Sequence, residues 1–343
     1  MQYRRLGRTG LLVSEVCMGT MTFGGAADEE ASRAIVERCL DAGVNFFDTA
    51  DVYTEGRSEE ILGRLVTGRR HDLVIATKAF NATGPGVTDA GLSRKHLIAA
   101  CEASLRRLGT DYVDLYQVHG DDPWTPLDET LRALDDLVRS GKVRYVGASN
   151  YGAWRLCEAL WTSETRGLAR YDCLQPLYNL VERGVDAELL PLCRAKGVGL
   201  IAWSPLAGGW LTGKYREGPA GDARLAGGGG QAVEMGRFVD RERILDALLA
   251  QAGELGVSPA AVALRWVMDM DGVTCAIFGA RDVAPLEDHL VAVDLELPFE
   301  RWKALERASR PPALYPAGVE RFMARRRSEQ VERARRALPG GRA

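Results

Sequence analysis

Residues 112–148 read YVDLYQVHGDDPWTPLDETLRALDDLVRSGKVRYVGA, and the order of patterns in this stretch decides the fold. It opens on a short apolar run, Tyr112–Val118, rich in aromatic and β-branched side chains and of the length of a strand buried in a parallel sheet. Thr125–Ser140, with Pro126 at the first helical position, then carries apolar residues at helical spacing. Val143–Ala148 returns to the strand pattern. A strand, an amphipathic helix and a second strand in so short a span make one βα unit and the start of the next.

The same rhythm extends in both directions. Candidate strands are Glu15–Met18, Asn45–Asp48, Leu73–Thr77, Tyr112–Val118, Val143–Ala148, Cys173–Gln175, Gly199–Trp203 and Thr274–Phe278. Asp28–Ala42, with acidic residues in its first turn, and Ser93–Leu108, which starts at a capping Ser, are further helices. Eight strands alternating with helices predict a closed (β/α)8 TIM barrel; an open doubly wound sheet is the alternative, and the missing GxGxxG after the first strand counts against it. Ahead of that strand, Tyr3–Leu6 and Leu11–Ser14 flank Gly7-Arg8-Thr9-Gly10, the pattern of an N-terminal β-hairpin closing one end of the barrel. Between the seventh and eighth strands runs a long loop, Ala207 to Asp240, with Gly227-Gly228-Gly229-Gly230 inside it; its length predicts a mobile lid over a ligand. The chain divides into a barrel, 1–316, and an Arg-rich C-terminal helical extension, 317–343. Arg321, Arg325, Arg326, Arg327, Arg333, Arg335 and Arg336 outnumber Glu320, Glu329 and Glu332 there, and a solvated helix is expected rather than a nucleic-acid arm.

With 46% hydrophobic and 27% charged residues in 343, the chain is composed as a globular protein able to bury a sizeable core. A net charge of −3 supplies no global positive field for nucleic acid or an anionic membrane. The opening MQYRRLGRTGLLVSE lacks the apolar run of a signal peptide, and no segment has the apolar length of a membrane span, so a cytoplasmic protein is expected. Seven scattered cysteines without a CxxC pair predict reduced, mostly core-packed thiols. The four histidines, His71, His96, His119 and His289, form no HxH pair, and no metal is expected.

In a closed barrel, residues just past the C-terminal ends of the strands converge on one mouth. Here the second strand ends in Asp48 with Tyr53 beyond it, the third in Lys78 and the fourth in His119. A strand-end Lys is expensive to desolvate without a carboxylate, which Asp48 on the neighbouring strand supplies. The ammonium so held would stabilise a Tyr53 phenolate and make the phenol a usable general acid, with His119 orienting a substrate oxygen. Taken singly these are an ion pair, a rim aromatic and a core histidine; their convergence from three strands argues for chemistry.

The run Asn45-Phe46-Phe47-Asp48-Thr49-Ala50-Asp51-Val52-Tyr53, with Gly56-Arg57-Ser58-Glu59 and Asp114-Leu115-Tyr116-Gln117-Val118-His119, strongly resembles the aldo-keto reductase family. So do Gly141-Lys142 through Ser149-Asn150, Trp203-Ser204-Pro205-Leu206 and Leu211-Thr212-Gly213-Lys214-Tyr215, and the likeness runs from about Tyr3 to Leu290. The resemblance implies the same catalytic tetrad, Asp48, Tyr53, Lys78 and His119, and NADP-dependent reduction of an aldehyde or ketone, with NAD as the other candidate cofactor. It implies Ser149, Asn150 and Gln175 as partners of the nicotinamide carboxamide, Trp203 stacked on the ring, and Gly19, Thr20 and Met21 as further cofactor contacts. Ser204, Pro205, Leu206, Gly208 and Lys214 are similar to the segment that wraps the pyrophosphate, with Arg224 beyond it on a further phosphate. Gly279 and Arg281 match the family after the eighth strand, Arg281 as a grip on a 2′-phosphate. Pro285 and His289 stand where the family commonly has Gln and Asn, which removes an amide that would read adenine.

The substrate walls implied are Met21, Phe23, Phe80, Trp124 and Trp154, an apolar vestibule for a small-molecule carbonyl, with no nucleic-acid or membrane partner. Some relatives of the fold act instead as cofactor-sensing subunits of membrane channels, and that is the rival reading.

Overall fold

A computed structural model of the protein describes residues 1–216, 239–313 and 315–337. The chain opens on β1 (Tyr3–Arg5) and β2 (Leu12–Ser14), an antiparallel pair in which Tyr3 faces Ser14. Eight parallel strands then close on themselves: β3 (Val16–Gly19), β4 (Phe46–Asp48), β5 (Val74–Ala79), β6 (Val113–Val118), β7 (Val143–Ser149), β8 (Tyr171–Gln175), β9 (Gly199–Ala202) and β10 (Val273–Phe278), with β10 pairing β3. The expected (β/α)8 barrel and N-terminal hairpin are therefore present, every expected strand lying within two residues of an observed one.

Period-two alternation fills the barrel and builds its mouth with the same residues. Phe46, Val74, Ala76, Leu115 and Cys173 point inward and pack with Cys17, Ile201, Cys275 and Ile277. The intervening Phe47, Ile75, Tyr116 and Leu174 point outward into a second core under the helices, with Ile35, Leu105, Leu134 and Trp266. Two residues beyond the inward apolar layer, the same parity delivers Asp48, Lys78, Gln117 and Gln175 to the C-terminal end of the barrel, with Lys78 directly beside Gln117 across the β5–β6 pair.

The opposite end is closed by the hairpin. Leu6 and Val13 are wholly buried in the interior cluster, and Arg8 donates its backbone N–H to the Gly197 carbonyl at 2.9 Å. Gly7 turns this corner at φ +59°, and a Cβ there would stand 2.6 Å from the Asp172 carbonyl oxygen, so only glycine lets the turn press onto the barrel floor.

The expected helices form at Glu29–Asp41, Arg94–Leu108 and Leu127–Arg139. Asp28 and Ser93 cap the first two by accepting from Ala31 and His96 backbone N–H groups. Pro126 caps the third rather than starting it: its ψ of 131° is extended, and its carbonyl accepts from Glu129 and Thr130. Lys78 likewise lies inside its strand, one residue before the end, rather than beyond it. Six of the seven free cysteines are buried and Cys157 is exposed. The helix Ala317–Ala337 ends the described chain with nearly all its described side chains in solvent. The glycine run at 227–230 and Arg224 lie outside the described residues. Among the described residues no single helix is long and apolar enough to cross a membrane.

Candidate active site

Asp48 is the hub of the mouth. Its Oδ2 accepts from Lys78 Nζ at 2.5 Å, and its Oδ1 accepts from the side-chain amides of Gln117 and Gln175 at 3.0 and 2.9 Å. Lys78 is buried, and its ammonium also donates to the Thr49 carbonyl at 2.8 Å and reaches the Tyr53 phenol oxygen at 3.4 Å. Burial alone would push the ammonium down; the Asp48 carboxylate and the Tyr53 oxygen outweigh it and hold Lys78 above the ordinary lysine value. Lys78 is thus a fixed cation beside the Tyr53 phenol oxygen.

Tyr53 is presented by an unusual turn. Thr54 and Glu55 take left-handed φ values of 50° and 56°, and Gly56 follows at 89°. Two non-glycine residues in that region store strain of the kind found at functional sites. The Thr54 hydroxyl anchors the turn by donating to the Phe23 carbonyl at 2.9 Å. Beneath it, Glu59 is buried and accepts from Thr77 Oγ1 at 2.5 Å and Arg107 Nε at 2.6 Å. Neither carboxyl oxygen of buried Asp51 has a hydrogen-bond partner, and burial, with the Glu59 charge adding to it, pushes this carboxyl up to about 7.

His119 meets the Tyr53 ring edge-on, centroids 5.9 Å apart. Burial, with the Lys78 charge adding to it, pushes the imidazole down to about 3, so the ring is neutral at working pH. The arrangement is a phenol between a fixed ammonium and a neutral imidazole, which suits delivery of one proton to an oxygen held at the mouth.

The chain matches the aldo/keto reductase family model over residues 15–310. It belongs to that family. Among curated relatives, it is 40% identical to a probable voltage-gated potassium channel subunit beta of Arabidopsis thaliana, over 86% of this chain and 92% of the relative. It is 39% identical to an uncharacterized oxidoreductase of Bacillus subtilis, over 88% of this chain and 93% of the relative. It is 32% identical to a versiconal hemiacetal acetate reductase of Aspergillus parasiticus, over 92% of this chain and 99% of the relative.

In this aldo/keto reductase the residues expected around a nicotinamide carboxamide are bonded to one another and to the hub. Ser149 donates to the Gln175 carbonyl at 2.8 Å, and the Gln175 amide nitrogen faces Asp48. Asn150, left-handed at φ 57°, donates to the His119 carbonyl at 3.0 Å and accepts from the Trp203 indole N–H at 3.1 Å. Gly19 ends β3, and a Cβ there would stand 2.8 Å from Ile277 Cγ2. Thr20 is wholly buried, its hydroxyl on the Asp48 carbonyl and on Ser58. After β9, Ser204, Ala207, Gly208 and Gly209 all take positive φ, folding Ser204, Pro205 and Leu206 into a compact turn that ends beside Lys214. Gly279 and Arg281 follow β10. His289 is buried against Phe278, its Nδ1 without a partner, and Pro285 sits in the first turn of the helix Val283–Asp294, where a missing N–H costs nothing.

Of the expected substrate walls, Phe80 lies beside Gly120, next to His119, while Met21, Trp124 and Trp154 are 48%, 92% and 70% exposed. Phe23 has no exposed surface and packs in the outer core, so it supports the Tyr53 turn instead of forming a wall. Gln117 carries no role in the sequence motifs; its signal is parity, since it follows Leu115 by two on an inward-facing strand.

Proposed function

We propose that the protein reduces the carbonyl group of an aldehyde or ketone to the alcohol, with NADPH as reductant and Tyr53 as proton donor. The observation that carries this reading is the Tyr53 phenol, 3.4 Å from the buried Lys78 ammonium that Asp48 holds. A dihydronicotinamide, when bound, would supply the hydride for the carbonyl carbon. Tyr53 gives its proton to the carbonyl oxygen, Lys78 stabilises the phenolate left behind, and solvent returns the proton afterwards. His119 orients the oxygen as a neutral hydrogen-bond donor.

The chain's own residues fit a dinucleotide. The turn of positive φ at 204–209 offers the tight glycine backbone that a pyrophosphate needs, with the Lys214 cation beside it. Buried His289 Nδ1 lacks a partner that an adenosine group would provide. Ser149, Asn150 and Gln175 would hold the carboxamide by exchanging their present bonds, and Trp203 would stack on the ring. Arg281, with Arg224, favours a 2′-phosphate and hence NADP over NAD. The exposed aromatic rim, Trp124 and Trp154, suits an apolar carbonyl substrate.

A second reading, a nicotinamide-binding regulatory subunit, is favoured by the 40% identity to a probable potassium channel subunit beta. Titrating tryptophan fluorescence with NADPH and NADH, then following cofactor absorbance over a panel of carbonyls, separates the two. Binding with turnover supports the reductase; tight binding with no turnover on any carbonyl supports the subunit, and no binding overturns both.

A further inference from the structure

We propose that Asn81 is a positioning residue that sets the tautomer of His119: its side-chain amide nitrogen, 3.3 Å from Nδ1, donates to that atom, so the imidazole keeps its single proton on Nε2. The inference deepens the reductase reading and rests on it, because the Nε2 proton is what a substrate carbonyl oxygen would accept. With the proton on Nδ1 instead, Nε2 would turn a lone pair toward that oxygen and repel it.

The geometry sets the imidazole beside this partner. The His119 backbone is pinned on both sides, its N–H to the Ala79 carbonyl at 3.0 Å and its carbonyl to Asn150 Nδ2 at 3.0 Å. Tyr53 packs its ring edge-on against the imidazole, and Asn81 Nδ2 stands at Nδ1. Asn81 is exposed, but the residue before it is anchored: Phe80 accepts from the Gly91 N–H at 2.8 Å, and its ring carbons lie 3.7 Å from where a Cβ on Gly120 would stand. The loop after β5 is thereby closed on itself, with the Phe80 ring set against Gly120 of the loop after β6. Burial keeps the ring neutral, so one tautomer or the other must be present and the amide decides between them.

The test is direct. Full-length protein labelled with 15N-histidine carries four imidazoles, and long-range proton–nitrogen correlation reports which nitrogen of each bears the proton; His119→Gln identifies the signal. The wild type should show the Nε2–H form. Asn81→Ala should give a mixture, and Asn81→Asp, whose carboxylate only accepts, should move the proton to Nδ1. In turnover, Asn81→Asp should lose about tenfold in kcat and Asn81→Ala about threefold, with NADPH affinity unchanged in both. A packing role alone would reverse that order, since Asp has the shape of Asn. An Nδ1–H form in the wild type, or one tautomer shared by all three proteins, overturns the proposal. Wild-type protein that turns over no carbonyl would sink the reductase reading alone, since the tautomer is read without substrate.

Discussion

The Lys78 ammonium and the Asp48 carboxylate meet at 2.5 Å with side-chain exposures of 0% and 3%. Every oxygen of that carboxylate is occupied, by Lys78 on one side and by Gln117 and Gln175 on the other. Such a pair contributes little net stability against an apolar replacement of both partners, but removing one leaves a buried charge uncompensated. Lys78→Met should therefore destabilise the fold by about 3–5 kcal/mol in urea unfolding at pH 7. A loss under about 1 kcal/mol would mean that Asp48 is not a buried carboxylate in need of its partner.

Removing the phenol oxygen tests the chemistry and spares the fold. Tyr53→Phe keeps the ring that packs on His119 and leaves the residues of the 204–214 turn untouched. Cofactor affinity by fluorescence titration should stay within about twofold, while kcat falls by roughly 10²–10⁴, the usual worth of a positioned general acid. Wild-type turnover in this variant would remove Tyr53 from the mechanism.

The barrel was legible because each strand announces itself twice, by an apolar run and by the helix that follows it, and because parity then carries Phe46 to Asp48 and Val74 to Lys78 without further information. Relations that cross strands were not. Asn150 and Trp203 are 53 positions apart, and nothing in either segment says that the indole N–H will rest on that amide. Gln117 stood inside a motif quoted for its histidine, yet its bond to Asp48 depends on which inward positions share a layer, a consequence of strand stagger. Phe23 shows another limit: it follows β3 at the mouth, but the turn after the strand sends its side chain into the outer core. Lone-sequence reading locates a loop and leaves open which of its side chains face inward.

Neutral His119 makes a pH prediction with a definite sign. Its folded value of about 3 lies below the ordinary imidazole near 6.5, so the unfolded chain binds the proton more readily in between. Stability drawn from this residue is intact above about 6.5 and is lost as pH falls toward 3. His119→Asn should accordingly flatten the acid side of the stability curve. It should also leave the pH dependence of kcat/KM between about 5 and 8 without a missing inflection, because the imidazole does not titrate there. An inflection near 6.5 that vanishes in the variant would show a protonated ring in the working enzyme.

Asp51 works in the opposite direction. Both its oxygens are buried without a partner, and its carboxyl is pushed up to about 7, so between about 4 and 7 the folded protein holds a proton that the unfolded chain releases. Stability therefore falls as pH rises through that window, and ionised Asp51 is a standing cost beside Glu59. Asp51→Asn keeps the shape and removes the charge. Thermal melts of the two proteins should coincide near pH 4, while at pH 8 the variant should gain roughly 2–4 kcal/mol, several degrees in Tm. Equal or higher wild-type stability at pH 8 would mean that Arg107, which lowers this carboxyl from a distance, closes onto it in solution and shares itself between Asp51 and Glu59.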